Sequence, residues 1–165
     1  MIFYNETELQ AAISKGLVIA VTHTVGKFLE YNQKFIEGYV YGVYTPSWYH
    51  RTKDFRNAWK TEVSGGGSSV EGEMSYDSGL IGVSSAYEGQ HASVVDGSSQ
   101  AENMPDLIYQ SGMGCIPRPT GRNAWRKLDI YLSNSTVRNI FESGLSQSGM
   151  PWKRKSGAIT VTKTK

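Results

Sequence analysis

The side chains able to act as nucleophile or base are few. The histidines are His23, His50 and His91, and the single thiol is Cys115. Covalent catalysis needs a nucleophile, a base within hydrogen-bond reach and a group that orients the base. His91, in "HASVVDG" with Ser93 and Asp96 close by in sequence, comes nearest to that set. A hydrogen-bonding role in a loop is the reading we prefer for it. Cys115, in "GMGCIP", has no His, Lys or Arg beside it to lower its pKa and make it reactive. One cysteine also excludes an internal disulfide and a CxxC zinc site. "SGGGSSV" lacks the Gly-Lys-Ser/Thr ending that sets a cation on a bound phosphate. The acidic residues of the middle segment have no calcium-loop spacing. The expectation is a protein that is not an enzyme and has neither cofactor nor metal.

Charge is the more informative chemistry. Residues 61–117 contain no Lys or Arg but carry Glu62, Glu71, Glu73, Asp77, Glu88, Asp96, Glu102 and Asp106. Residues 118–165 reverse this, with ten basic side chains against Asp129 and Glu142. Arg118, Arg122, Arg126 and Lys127 surround Trp125, and Lys153, Arg154 and Lys155 follow Trp152. Cations beside aromatic rings can hold phosphates and stack bases, although no nucleic-acid-binding motif of known spacing is present. Three readings stay open: a DNA-facing surface, complementary faces that meet between copies, or two solvated surfaces with Trp125 in the core.

These side chains need elements to position them. Leu9, Ile13, Leu17, Ala20, Thr24, Phe28, Tyr31, Phe35 and Tyr39 recur at three- and four-residue steps, which predicts a helix over about residues 6–43. Asn5 is its expected N-cap, with Glu6 and Glu8 in the first turn. Gly16, Gly26 and Gly38 are possible breaks. At ~1.5 Å per residue the helix would reach about 55 Å, more than a compact domain needs. "AWKTEV", "SVEGEMSYD" and "GLIGVSS" read as strands around the turn at residues 65–69. Residues 84–121 form a long loop, with one helical turn at "MPDLIYQSG". Helical spacing returns at Trp125, Leu128, Leu132, Val137, Ile140, Phe141 and Leu145, split near Ser133, with Ser135 capping the second half. The fold class is α+β: a long N-terminal helix, a small antiparallel sheet of three to four strands, a C-terminal helix and a flexible basic tail. Residues 1–150 are expected to form one domain, and residues 151–165 a basic, β-prone tail that can add a strand to a partner. The N-terminus has no signal-peptide pattern, and "GLVIAV" is far short of a membrane span. A soluble protein with no membrane partner is expected.

The connector at residues 44–59, "YTPSWYHRTKDFRNAW", is unusually rich in aromatic and basic side chains, where a water-facing loop would carry Gly, Ser and Asp. Pro46 forces Thr45 toward extended geometry and ends the helix. Thr52 can cap a short turn bearing Phe55 and Trp59 on one face. Tyr49, Phe55 and Trp59 are expected to fill the corner between helix and sheet.

An N-terminal amphipathic helix, then Tyr44, Pro46, Tyr49, Arg51 and Thr52 in Tyr-x-Pro-x-x-Tyr-x-Arg-Thr, then a bulky Phe55 and strands, resembles the tail-completion or head–tail joining (neck) proteins of tailed double-stranded DNA bacteriophages. "HASVVDG" followed by "MPDLIYQSG" resembles a His-containing loop and short helix found in some members. Many members carry Thr-Gly-x-Leu where this chain has Thr52-Lys53-Asp54-Phe55, which puts the local turn in doubt. The resemblance implies a non-enzymatic virion component at the neck or tail, assembled in the host cytoplasm. It implies a homo-oligomeric ring, six- or twelve-fold, between portal or neck and tail proteins, with genomic DNA passing through its lumen without sequence specificity. Arg51 would pair with an acid locally or across the ring. The other class is a nucleic-acid-binding module built on the basic C-terminal third.

Overall fold

The computed structural model describes residues 5–42, 53–67, 69–80 and 124–153, with the backbone alone for 124–127 and 134. In order these form helix α1 (Glu6–Phe35), a π-helical turn (Ile36–Tyr41), the one-turn helix α2 (Asp54–Asn57), strands β1 (Trp59–Gly66) and β2 (Ser69–Tyr76), and a 3-10 turn (Ser78–Leu80). Helices α3 (Ala124–Tyr131) and α4 (Asn134–Gln147) follow. The described residues fall into two compact units. The first holds residues 5–30, 61–67, 69–74 and 129–153; the second holds 31–42, 53–60, 75–80 and 124–128.

Helix α1 starts where expected, and for the expected reason. The Glu8 N–H donates to Asn5 Oδ1 at 2.8 Å, and Asn5 Nδ2 donates back to Glu8 Oε1 at 3.2 Å, satisfying an orphan donor of the first turn. Gly16 and Gly26 do not break the helix. Around Gly38, one of the possible breaks, residues 36–41 widen into a π-helical turn that closes with the Gly42 N–H on Glu37 O at 2.7 Å. Leu9 and Ile13, at 40% and 38% exposure, lie on the expected apolar stripe yet face solvent. The whole helical run Glu6–Tyr41 is, by length and composition alone, long and apolar enough to cross a membrane. Core helices pass the same test, and Ala20, Thr24 and Val25 are buried within the first unit.

Two glycines set how closely the first unit packs. A Cβ on Gly144 of α4 would lie 2.8 Å from Ala20 Cα and 3.0 Å from Ala20 O, so the two helices meet backbone to backbone. A Cβ on Gly72 of β2 would meet Val25 Cγ1 at 2.5 Å and Val21 Cγ1 at 2.6 Å. The hairpin tip is tied to α1 by the Gly67 N–H donating to Ser14 Oγ at 2.9 Å. Along the strands Thr61, Val63, Val70 and Met74 are half-buried, whereas Lys60, Glu62, Ser64, Ser69, Glu71 and Glu73 are exposed. That is the period-two alternation of a sheet with one covered face.

Two expectations are corrected. Among the described residues the antiparallel sheet has two strands, not three to four. Where "GLIGVSS" should begin a third, Asp77 Oδ1 accepts the Gly79 N–H at 3.1 Å and Asp77 O accepts the Leu80 N–H at 3.2 Å. A short acidic side chain that bonds the backbone two residues on turns the chain instead of extending it. The helical segment does split near Ser133, but Ser133 rather than Ser135 is the N-cap of α4, with φ −61° and ψ 158°. The Val137 N–H donates to Ser133 O at 3.0 Å. The long loop at 84–121, with its "MPDLIYQSG" turn, lies outside the described residues, as do 81–83 and tail residues 154–165.

Candidate functional site

The second unit contains the part of the connector that the structure describes. Lys53 precedes α2 with φ 63° and ψ 15°, the left-handed region, which costs a side-chain-bearing residue roughly 1–2 kcal/mol. From there the chain makes one turn, with Lys53 O accepting from the Arg56 and Asn57 N–H groups at 3.0 and 3.2 Å. The Ala58 N–H donates to Asp54 O at 2.8 Å. This turn places Phe55, Ala58 and Trp59 inward, at 4%, 0% and 7% exposure.

Phe55 and Trp59 meet edge to face, with centroids 6.1 Å apart. Tyr76, at the end of β2, completes a trio at 5.8 Å from Phe55 and 5.4 Å from Trp59. Such spacings suit attractive aromatic pairing. Burial, then the neighbouring Tyr41, pushes the Tyr76 phenol up to about 12. The Asp77 N–H donates to Ala58 O at 2.7 Å, fastening the end of β2 to the start of β1.

Two ion-pair clusters flank the aromatic trio. Glu37 of the π-helical turn accepts from Lys53 Nζ at 2.8 Å and from Arg56 Nη1 at 3.3 Å. The Lys53 bond, more than that of Arg56, holds the Glu37 carboxyl below its usual range despite the opposing effect of burial. Asp77 Oδ2 pairs with Lys60 Nζ at 3.0 Å. That bond, followed by the Gly79 N–H, likewise lowers the Asp77 carboxyl. These groups are substantially exposed, so each pair adds little stability and mainly fixes geometry.

Of the expected corner residues, the structure brings Phe55 and Trp59 together. Tyr44, Pro46, Tyr49, Arg51 and Thr52 lie outside the described residues. Tyr76 was missed; its signal was the strand alternation that puts it in phase with Val70 and Met74. The pairing of Glu37 with Lys53 and Arg56 had no local signal, because the connector separates the partners in sequence. Among the basic candidates, Arg126 and Lys127 fall on α3, and Lys153 is exposed after α4. Arg118, Arg122, Arg154 and Lys155 lie outside the described residues, as do His50, His91 and Cys115. His23 is half-buried on α1. Among the described residues no group of three or more His, Cys, Asp or Glu side chains could hold a metal ion. The chemistry this corner offers is packing and ion pairing around a strained turn.

No protein-family model matches the chain, and neither a curated protein nor a solved structure resembles it at a significant level.

Proposed function

We propose that the chain is a non-enzymatic component of the neck of a tailed double-stranded DNA bacteriophage. Copies form a ring that completes the tail or joins it to the portal and lets DNA pass. The observation that carries this reading is Lys53 at φ 63°. It occupies the place where the resembled pattern has glycine, and its backbone takes the conformation that glycine adopts freely. The bulky position two residues on, Phe55, is buried as an anchor for the following strands. A left-handed residue at Lys53 is compatible with glycine at that place, and this supports the reading.

The test is genetic. Particles made without this chain, or with Arg51→Ala, should accumulate as filled heads and separate tails under the electron microscope. Normal, joined particles in the absence of the chain would rule the reading out. The second reading, a nucleic-acid-binding module using residues 118–155, draws on the exposed Trp152 beside the exposed Lys153. It predicts tight DNA binding by the monomer, with a steep salt dependence.

A further inference from the structure

The outer edge of β2 has no neighbouring strand among the described residues. A bare edge presents a row of backbone donors and acceptors ready to pair with another chain. Beside that edge, on the uncovered face, stand the exposed Glu71 and Glu73, with Glu62 on β1 also exposed. The only cation on the hairpin, Lys60, is already paired with Asp77, and residues 61–117 supply no other.

The matching chemistry lies at the other end of the chain. Ile159-Thr160-Val161-Thr162 is β-branched throughout, and Lys153, Arg154, Lys155, Lys163 and Lys165 flank it with no acid among them. We propose that residues 154–165 of one copy add as a strand to the outer β2 edge of a second copy. Main-chain bonds would supply the pairing, and cations set against Glu71 and Glu73 would fix its place.

The place of Met150 bears on the choice between a second copy and the chain's own hairpin. Met150 Sδ would lie 2.8 Å from a Cβ on Gly16, and the hairpin tip is bonded to Ser14. The tail therefore departs from the same stretch of α1 that holds the tip. At ~3.3 Å per residue, the nine residues from 150 to 159 reach about 30 Å, whereas eight-residue β2 spans only about 26 Å. That maximum length is enough for the β-prone core to reach past an eight-residue strand. A tail that set out from the tip along its own β2 would also run parallel to it, the slightly weaker pairing.

This inference deepens the ring reading and rests on it for the meeting of copies, so its test separates the two. Native mass spectrometry would compare the full chain with a chain ending at Lys153 and with Thr160→Pro, which blocks strand pairing but keeps every charge. Both variants should melt as the full chain does and fail to assemble. A fluorescent peptide of residues 154–165 should bind the shortened chain, and Glu71→Lys with Glu73→Lys should weaken that binding about tenfold. In a Cys115→Ser background, Glu71→Cys on one chain should form a disulfide with Thr160→Cys on another. If either variant assembles as the full chain does, the strand exchange is wrong and the ring reading stands. If the full chain associates only into pairs or open chains, both variants are monomeric and the shortened chain captures the peptide, the exchange stands and the ring reading fails; a full chain that stays monomeric overturns the exchange. A disulfide that forms only when both cysteines share one chain would place the tail on its own hairpin and overturn the proposal.

Discussion

Lys53 carries a side chain at a backbone angle that favours none. Replacing it with glycine should relieve about 1 kcal/mol of backbone strain and forfeit a half-exposed pair with Glu37 worth at most about 1 kcal/mol. Lys53→Gly should therefore melt at or slightly above the parent temperature, and Lys53→Val clearly below it. A Lys53→Gly loss of more than ~2 kcal/mol would mean that the Glu37 pairing, not the backbone, holds the turn. Trp59→Ala should cost about 3–5 kcal/mol, a large share of a domain's stability, and an unchanged melt would show that the aromatic corner is not a core. Tyr76 makes the corner sensitive to alkali. Its native pKa of about 12 exceeds the unfolded value near 10, so between those pH values the unfolded chain loses a proton that the folded one keeps. Stability should fall as pH rises through that window, and Tyr76→Phe should flatten the fall in pH-dependent melting. Glu37 and Asp77 work in the opposite direction: with lowered native pKa values, their contribution is lost as pH falls through those values. Phe55 and Trp59 were legible because their four-residue spacing is local. Tyr76 and Glu37 were not, because each meets the corner from another stretch of chain.

At the scale of elements, the glycines separate packing from propensity. Gly144→Ala would force a methyl group against the Ala20 backbone and should cost about 1–3 kcal/mol. Gly26→Ala meets nothing within 4 Å and should instead stabilise α1 by about 0.5–1 kcal/mol. Thermal melts of the two variants should move in opposite directions; equal shifts would contradict the close contact of α1 with α4. The start of α1, its Asn5 cap and the alternation of β1 and β2 are local patterns and were readable in advance. The apolar stripe of α1 was legible only in part, since Leu9, Ile13 and Tyr39 are exposed while Ile36 and Val40 are buried. The irregularity at residues 36–41 was legible only as a possible break at Gly38, and the 3-10 turn at residues 78–80 was not legible. At residues 78–80 the Gly79 N–H donates to Asp77 Oδ1 and the chain makes a 3-10 turn, a local feature that the composition of the following residues did not announce. Close helix contact at Gly144 was equally hidden, since glycine in a helical pattern reads first as a weakness.

For the whole molecule, the proposed ring reading gives the separation of acidic residues 61–117 from basic residues 118–165 a role in assembly rather than in fold. If those regions meet between copies, assembly should weaken with salt, because exposed charges are screened within about 10 Å at 0.1 M. Arg122→Glu with Arg126→Glu should then block incorporation into particles while leaving the monomer folded. Unchanged incorporation would remove the electrostatic part of the account. Arg51→Ala distinguishes a fold role from an interface role: a normal melt with stalled particles places Arg51 at a neighbour, and a lowered melt places it in the corner. The ring is an expectation that rests on resemblance alone, since neither helical period nor charge count specifies one. The most direct measurement is native mass spectrometry of the full chain over a range of salt and DNA concentrations. A closed cyclic oligomer, six- or twelve-fold and indifferent to DNA sequence, is the predicted result. A strict monomer that binds DNA tightly, with affinity falling steeply as salt rises, would contradict it.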